Sequence, residues 1–416
     1  MFHLPLFLLQ IGVILIAARL IGRLFRRIRQ QQVIGEMAAG VLLGPSFLGW
    51  IAPNLSASLF PASSLGFLST LSNIGLLVFM FLVGVHVNVR VLRDRKDTAV
   101  LTSHVSVALP FLLGSLLALF LYPRLSDSSV SFAEFALFLG VSMSVTAFPV
   151  LARILTERNM LNSKVGSIAI ACAAVDDVTA WCLLAAVVAM VHASGTGLPI
   201  WATLAGTATY GLLMITVGRR LLRATDWHYQ RHGKVTHDLL ALILLFVIAS
   251  AYITEWLGIH ALFGAFLLGV IMPRTPGLVR ELSDRLQDMT VVLFLPLFFA
   301  LTGLRTSVWL VQGSEMWLYC GLVILVAIAG KVGGALVASR LTGLTWRESA
   351  AVGVLMNTRG LIQLVVLNIG LDLGVISEAL FTMLVLMALI TTFMTAPLLH
   401  WVYPERFLAE ERNEKR

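Results

Sequence analysis

Apolar stretches long enough to cross a bilayer follow one another along almost the whole chain, separated by short polar segments. A spanning helix requires roughly 20 apolar residues. Only 12% of the residues are charged, and no segment between the stretches has room for a soluble domain. The sequence therefore predicts an all-α polytopic membrane protein with thirteen transmembrane helices, near 4–24, 33–50, 68–89, 99–121, 133–152, 165–192, 199–218, 238–256, 259–273, 289–304, 315–339, 349–369 and 376–402.

The basic residues indicate how these spans are oriented. With thirteen spans, 26 of the 30 Lys and Arg residues fall on one side, whereas only Arg124 and Arg305 fall on the other. Because Lys and Arg accumulate in cytoplasmic loops, we expect the N-terminus outside and the short tail, 403–416, in the cytoplasm. The net charge of +8 then reflects topology and contact with anionic lipid, rather than binding of nucleic acid.

The three cysteines predict neither a disulfide nor a metal cluster. Cys172, Cys182 and Cys320 all lie inside predicted spans, without paired spacing or neighbouring histidines. Such residues usually pack as small apolar side chains. We expect no cofactor.

Two adjacent carboxylates lie inside the sixth predicted span. Asp176 and Asp177 occur in the stretch SIAIACAAVDDVTAW. A charge in hydrocarbon costs a few kcal/mol or more, so intramembrane acids are rare and usually face a protein-lined or water-filled site. The pair therefore indicates a place where a proton or a cation is held.

Two predicted spans are interrupted by polar residues, one in each half of the chain. In the fifth span the interruption comprises Ser142, Ser144, Thr146 and Pro149, and in the twelfth it comprises Asn357, Thr358, Arg359 and Gly360. Each interruption taken alone indicates a structural kink as readily as a functional break in the helix. Two interrupted helices in corresponding positions are typical of secondary transporters with inverted repeats. The adjacent aspartates favour this transporter interpretation over two structural kinks.

Two cations also lie within predicted spans. Lys331 is about ten residues from either end of its span, so it cannot easily reach water, and we expect it to pair with a carboxylate. Adjacent helical residues differ by ~100° around the axis, so both aspartates cannot make this contact. We assign Asp176 to Lys331 and Asp177 to the transport cavity, while the reverse assignment stays open. Arg359 is expected to bind helix-end carbonyls or a carboxylate.

Several long motifs resemble those of a known family. The chain is similar to bacterial monovalent cation:proton antiporters of the sodium/hydrogen exchanger superfamily, in the branch shared with plant cation/proton exchangers. The matching strings are VIGEMAAGVLLGPSFLG, FMFLVGV, SVTAFPVLARIL, AIACAAVDDVTAW, IHALFGAFLLGVIMP, LPLFFALTGLRT, GKVGGALVASRL and MNTRGLIQLVVLNIG.

The resemblance implies an architecture. It implies an inverted-repeat fold in which the two broken helices cross. The crossing would lie at Thr146 and the backbone around Ala147 in the fifth span, and at Asn357, Thr358 and Arg359 in the twelfth. A mobile core, 99–192 and 315–402, would move against a scaffold, 4–90 and 199–304, that usually forms a homodimer. The expected location is the inner membrane of a bacterium.

The resemblance also implies residue roles. Asp177 would carry the cation and the proton, and Asp176 would pair with Lys331. Asp176 and Thr146 would add oxygen ligands for the cation. Two family acids are replaced, by His86 and Gln363, which leaves open any cation path or selectivity at those positions.

These features predict a transporter rather than an enzyme. The expected function is exchange of Na⁺ or K⁺ for protons by alternating access, because a carboxylate binds either ion but not both at once. The sequence does not distinguish Na⁺ from K⁺. A sodium-coupled carrier of an organic anion is the alternative. An intramembrane aspartyl protease is disfavoured, because its two aspartates must come from different helices, and a channel is disfavoured because no selectivity string occurs.

Overall fold

The computed structural model describes residues 3–28, 30–86, 96–127, 130–158, 160, 163–196, 200–258, 260–404 and 407. Within these residues the side chains of 96–100, 149, 157, 192–196 and 200–204 are not described. Most of the predicted tail therefore lies outside the described residues. All regular elements in the described ranges are helical, which confirms the predicted fold class.

The helices follow one another in the order of the predicted spans. In the described ranges they are α1 Leu4–Arg27, α2 Gln32–Leu43, α3 Leu48–Ile51, α4 Pro53–Leu59, α5 Ala62–His86, α6 Lys96–Leu125, α7 Phe132–Ser144, α8 Phe148–Glu157, α9 Lys164–Thr196, α10 Ile200–Leu213, α11 Arg219–His232, α12 His237–Trp256, α13 Ala261–Ile271, α14 Pro276–Met289, α15 Leu295–Leu304, α16 Gly313–Ile328, α17 Gly334–Leu341, α18 Trp346–Met356, α19 Leu361–Asp372 and α20 Glu378–Val402. Short π-helical segments at Met214–Gly218, Thr290–Phe294 and Ala329–Gly333 join neighbouring helices, and Val308–Leu310 is a 3₁₀ turn.

The predicted count of thirteen spans is not confirmed. In the part of the chain that the structure describes, nine helices are long and apolar enough to cross a membrane, or ten if α18 and α19, which meet at a bend of 44°, count as one span. Two predicted spans correspond to shorter apolar helices, α7 and α13. The fifth predicted span is short because its interruption divides it into α7 and α8.

The two interrupted spans begin in the same way. Ser131 precedes α7 and accepts a hydrogen bond from the backbone N–H of Glu134, whose side chain accepts from the backbone of Ser131. Thr345 and Glu348 form the same reciprocal arrangement at the start of α18. This capping box satisfies backbone donors that a helix start leaves free. Both half-helices are therefore defined locally at their first turn.

The Cα positions group into two compact units. The first comprises Met1–Leu15, Leu59–Val87 and Ala185–Leu301, and the second comprises Ile16–Ser58, Asn88–Leu184 and Thr302–Arg416. The second unit contains both interrupted spans, Asp176, Asp177 and Lys331. It also includes Ile16–Ser58, which the predicted division placed in the scaffold. Which segments move and which stay fixed remains a prediction.

Within the second unit, glycine allows α2 and the end of α15 to approach closely. A Cβ atom on Gly303 would lie 1.9 Å from the carbonyl carbon of Gly40, and one on Gly44 would lie 2.3 Å from the carbonyl oxygen of Gly303. No side chain fits at such distances. The backbones themselves therefore form this contact.

Candidate functional site

The first interruption lies between α7 and α8. Helix α7 ends at Ser144, and the backbone is extended at Val145 (φ −65°, ψ 132°) and at Ala147 (φ −98°, ψ 91°). Helix α8 starts at Phe148, so Pro149, of which only the backbone is described, is the second residue of this helix. A proline at that position costs little, because the first N–H groups of a helix have no intrahelical acceptor. The break thus precedes the proline.

The second interruption contacts the first through the backbone. Helix α18 ends at Met356 and α19 starts at Leu361. The backbone N–H of Ala147 donates to the carbonyl of Thr358 at 2.9 Å, and the hydroxyl of Thr146 lies 3.2 Å from the carbonyl of Met356. The two non-helical segments therefore satisfy part of each other's hydrogen-bonding requirement, which a buried backbone needs.

Arg359 neutralises one end of the first broken helix. Its guanidinium is fully buried and donates to the carbonyls of Ser142 at 2.9 Å and Met143 at 2.8 Å. These carbonyls belong to the last turn of α7, where a helix has free acceptors and a partial negative charge. Arg359 also donates to Oε1 of Gln363 at 3.0 Å. The planar, forked guanidinium suits this multiple contact.

Asp176 and Lys331 form a buried ion pair. The Lys331 Nζ atom lies 2.9 Å from Oδ2 of Asp176, and both side chains are 0% exposed. Lys331 also donates to the Thr146 hydroxyl at 2.6 Å. The lysine lies in the π-helical segment Ala329–Gly333, and Thr146 lies in the first interruption. The ion pair and the Thr146 hydroxyl therefore connect α9, the π-helical segment and the first interruption within the second unit.

Three hydroxyl groups also contact Asp176. Ser103 donates to Oδ1 at 2.7 Å, and Ser106 donates to Oδ2 at 2.7 Å. The Thr146 hydroxyl lies 3.0 Å from Oδ2. Oδ2 of Asp176 therefore lies within hydrogen-bonding distance of Lys331, Ser106 and Thr146, and Oδ1 accepts from Ser103. Both oxygens of Asp176 have partners among the described residues.

Asp177 has a different environment from its neighbour. Its side chain is 2% exposed, and it accepts a hydrogen bond from the backbone N–H of Phe148 at the start of α8. A helix N-terminus stabilises negative charge. The Oδ1 atom of Asp177, in contrast, has no hydrogen-bond partner among the described residues. A buried carboxylate oxygen without a partner is a ready acceptor for a proton or a cation.

The remaining predicted residues differ in their hydrogen bonds. The hydroxyl of Ser144 donates to the carbonyls of Val107 and Gly140, both at 2.9 Å. Asn357 is buried, and its Oδ1 atom lacks a partner in the described part of the chain. His86 lies in the first unit, where its Nε2 is 3.4 Å from the Ser283 hydroxyl.

Sequence reasoning missed Ser103, Ser106 and Thr392. The two serines are three residues apart in the apolar stretch LTSHVSVAL, and this spacing places them on one face of a helix, which is the signal that was available. The hydroxyl of Thr392 accepts from the backbone N–H of Arg359 at 3.0 Å and donates to its carbonyl at 2.7 Å. Nothing in the sequence around Thr392 indicates this contact.

A family model described as sodium/hydrogen exchanger, transmembrane, matches residues 13–402. The chain belongs to the sodium/hydrogen exchanger family. This family consists of transporters, and its members include a Na⁺/H⁺ antiporter, NhaS4, of Synechocystis that is 45% identical to the chain over 400 residues, covering 96% of this chain and 97% of that protein. The protein is therefore a multi-pass membrane protein.

Longer relatives match the same region of this exchanger. Cation/H⁺ antiporter 17 of Arabidopsis thaliana is 40% identical over 404 residues, covering 96% of this chain and 48% of its own length. K⁺/H⁺ antiporter 1 of Saccharomyces cerevisiae is 36% identical over 411 residues, covering 97% of this chain and 47% of its own length. The chain thus spans about half the length of these two relatives.

A solved structure shares the fold of this exchanger. The sodium proton antiporter MjNhaP1 from Methanocaldococcus jannaschii matches with a TM-score of 0.64 and 14% sequence identity, covering 98% of this chain and 97% of that one. The likeness concerns the arrangement of the helices. It supports the predicted antiporter fold.

Proposed function

We propose that the protein exchanges Na⁺ or K⁺ for protons across the bacterial inner membrane. Family membership supports this function, and the relatives described as Na⁺/H⁺ and K⁺/H⁺ antiporters support a monovalent cation as the substrate. The relatives named above are all described as antiporters, so the organic-anion carrier considered from the sequence has no support. The N-terminus lies outside, the C-terminus lies in the cytoplasm, and the protein acts as a homodimer surrounded by membrane lipid.

The observation that carries this proposal is the difference between the two aspartates. Asp176 lies within hydrogen-bonding distance of three hydroxyl groups and of Lys331. Asp177 has one buried oxygen without a partner in the described residues. A carboxylate that is already paired contributes structure and charge balance, whereas an unsatisfied one gains free energy from a bound ion. Asp177 is therefore the site that alternately binds the proton and the cation.

Oxygen ligands around Asp177 complete the cation site. Alkali cations bind to carboxylate and carbonyl oxygens, and broken membrane helices expose such groups near the middle of the bilayer. The buried Asn357 Oδ1 atom, which lacks a described partner, is one candidate. The Thr146 hydroxyl and Asp176 are further ligands when Lys331 moves away from them.

Coupling follows from competition at this one carboxylate. A proton on Asp177 removes the negative charge that attracts the cation, and a bound cation blocks the proton. Suppose that Asp177 becomes accessible from the opposite side of the membrane only while it carries a proton or a cation. Each cation that crosses in one direction then requires a proton to cross in the other. Movement of the core segments 99–192 and 315–402 against 4–90 and 199–304 supplies this alternating access.

The test is cation-induced proton movement in proteoliposomes that contain the purified protein, with Na⁺ and K⁺ compared. Wild type is expected to move protons when either or both cations are added. Asp177→Asn keeps the size of the side chain but removes its charge, so we expect no exchange from correctly folded protein. Asp288→Asn is the matched control, since Asp288 is exposed, and it is expected to behave as wild type. Normal exchange by the Asp177 variant would contradict the assignment.

A further inference from the structure

A polar network joins the outer ends of α15 and α19. Arg305 follows α15 directly, and its Nη1 atom donates to Oδ1 of Asp372 at 2.7 Å and to Oδ1 of Asn368 at 3.1 Å. Asn368 in turn donates from Nδ2 to the Thr302 hydroxyl at 2.9 Å. Asn368 and Thr302 are buried, whereas the Asp372 side chain is 53% exposed. The network therefore runs from the surface one helical turn into the protein.

The position of Arg305 is unusual for a basic residue in this chain. It is one of only two that fall on the predicted outer side, where Lys and Arg are rare. The other is Arg124, which lies 3.4 Å from Glu315. Arg124 and Glu315 both belong to the predicted core. Arg305, in contrast, connects the last helix of the predicted scaffold to Asp372 of the core.

Helix α15 is held to its neighbours in two different ways. On one side, Gly303 packs backbone to backbone against Gly40 of α2, and α2 lies in the predicted scaffold. On the other side, the side chains of Arg305 and Thr302 bind α19 in the predicted core. Close packing of backbones resists displacement, whereas polar side-chain contacts form and break when packed elements move. The contacts with α19 are therefore the ones that a movement of the core would separate.

The division of the chain into compact units points to the same place. The boundary between the two units falls inside α15, after Leu301 and before Thr302. One continuous helix, Leu295–Leu304, thus contributes residues to both units. If the units change their relative position, contacts at one end of this helix must change. The polar network lies at that end.

We propose that the Arg305–Asp372 pair and the two buried polar side chains beneath it form a latch that closes the outer side of the transporter. This inference rests on the proposed antiport function. When the core moves to expose Asp177 to the outside, the outer end of α19 separates from α15 and the latch opens. Because the latch contacts exist only while the outer side is closed, they favour the closed state over the outward-open state. Arg305 and Asp372 therefore set the balance between the two states and do not bind the transported ion.

The first test measures the cation KM separately on each face of the membrane. Arg305→Gln removes the charge but keeps a polar side chain. Loss of a partly exposed ion pair is expected to raise the population of the outward-open state about three- to fivefold, and a cation that binds only this state then binds more tightly by the same factor. We expect the apparent cation KM to fall about three- to fivefold in right-side-out vesicles, where the cation meets the outer face. In everted vesicles we expect little change.

Two other variants separate this role from a contribution to folding. Asp372→Asn removes the exposed partner, which leaves the buried part of the network in place, and it is expected to lower the outer KM in the same way. Arg124→Gln is the matched control, because it breaks an outer ion pair inside the predicted core, and it is expected to keep the wild-type KM on both faces. A wild-type outer KM in Arg305→Gln would overturn the proposal. So would an equal shift on both faces or a fall in kcat alone, since a purely structural contact gives those results.

A reversible cross-link tests whether the latch must open. In a variant whose three native cysteines are replaced by alanine, Arg305→Cys combined with Asp372→Cys introduces two thiols, and a short bifunctional reagent with a reducible link joins them. The joined protein is expected to lose exchange and to regain it when the link is reduced. The same treatment of Arg124→Cys combined with Glu315→Cys is expected to leave exchange intact. Full exchange with the latch joined would refute the proposal, because α15 and α19 would then stay together throughout the cycle.

A further readout does not depend on transport. Asn357 lies in the second interruption and is 2% exposed, so a thiol introduced by Asn357→Cys is expected to react with a membrane-impermeant reagent outside only while the outer side is open. Addition of Arg305→Gln is expected to raise the labelling rate about three- to fivefold, and addition of Arg124→Gln is expected to leave it unchanged. An unchanged rate with Arg305→Gln would refute the latch. Faster labelling in a protein that moves no protons as wild type would refute the antiport function alone.

Discussion

Replacement of Lys331 by methionine isolates the energetic role of the buried ion pair. Methionine fills a similar volume, so the change removes the charge and the hydrogen bonds to Asp176 and Thr146 without opening a large cavity. Breaking a fully buried pair on one side costs about 3–5 kcal/mol, because the remaining charge is left uncompensated. Ser103 and Ser106 still donate to Asp176, so we expect the lower end of this range.

A loss of about 3 kcal/mol lowers the ratio of folded to unfolded protein by about 10². Denaturant titration of the purified protein in mixed micelles measures this loss. A variant as stable as wild type would refute this reasoning.

Two further variants complete the experiment. The double variant Asp176→Asn with Lys331→Met removes both charges and is expected to recover most of the lost stability, as replacement of both partners of a buried pair often does. Lys164→Met is the matched control, because Lys164 forms an ion pair with Glu348 at 2.9 Å while its side chain is 48% exposed. Exposed pairs contribute about 0–1 kcal/mol, so this change is expected to have little effect.

Three other substitutions test the packing and the charge balance of the second unit. Gly303→Ala places a Cβ atom 1.9 Å from the backbone of Gly40, and we expect denaturant titration to show a loss of stability of about 3 kcal/mol or more. Gly321→Ala is the control, because nothing lies within 4 Å of the new atom, and it is expected to be neutral or slightly stabilising in the same titration. Arg359→Lys keeps the charge but loses the fork that binds two carbonyls, and we expect lower stability and little exchange in proteoliposomes. Gln363→Glu replaces an amide whose Nε2 has no described partner by a charged acceptor for Arg359, and we expect thermal stability to rise by about 1–2 kcal/mol.

The sequence predicted the class of fold because the bilayer restricts it so strongly. Long apolar stretches can only be helices where no water is available to bind the backbone, and the described chain is helical throughout its regular elements. The number of spans was harder to predict. A break of three residues, 145–147, turns one hydrophobic stretch into two short helices, and hydropathy alone does not detect such a division.

The interruptions themselves were visible, but their geometry was not. Pro149 marked the fifth predicted span, yet the chain leaves the helix before it, and the proline instead fits the start of α8. A proline fits in the first turn of a helix, because its missing N–H would have no intrahelical acceptor there. The position of the break was therefore displaced by a few residues from the residue that signalled it.

The candidate site shows which contacts a sequence can reveal. Lys331 was expected to find a carboxylate because a charge far from both ends of a span needs a partner, and Asp176 lies 2.9 Å from it. For Ser103 and Ser106 no partner could be predicted in this way. A hydroxyl in a membrane helix can bond to its own backbone, as Thr391 does to the carbonyl of Met387 at 2.8 Å, so its presence demands no partner elsewhere. Only the fold shows which hydroxyls reach an acid.

Under the proposed function, charge balance among the four buried groups would let one site serve two ions. Asp176, Asp177, Lys331 and Arg359 are all buried, and their formal charges sum to zero when all four are ionised. A proton or a monovalent cation on Asp177 adds the same single positive charge, so the two loaded states are alike in net charge. Under the proposed mechanism, selection between the ions must then come from the oxygen ligands and from dehydration, since charge alone favours neither. A divalent cation would add twice the charge to the same low-dielectric site, which is a physical reason for the site to prefer monovalent ions.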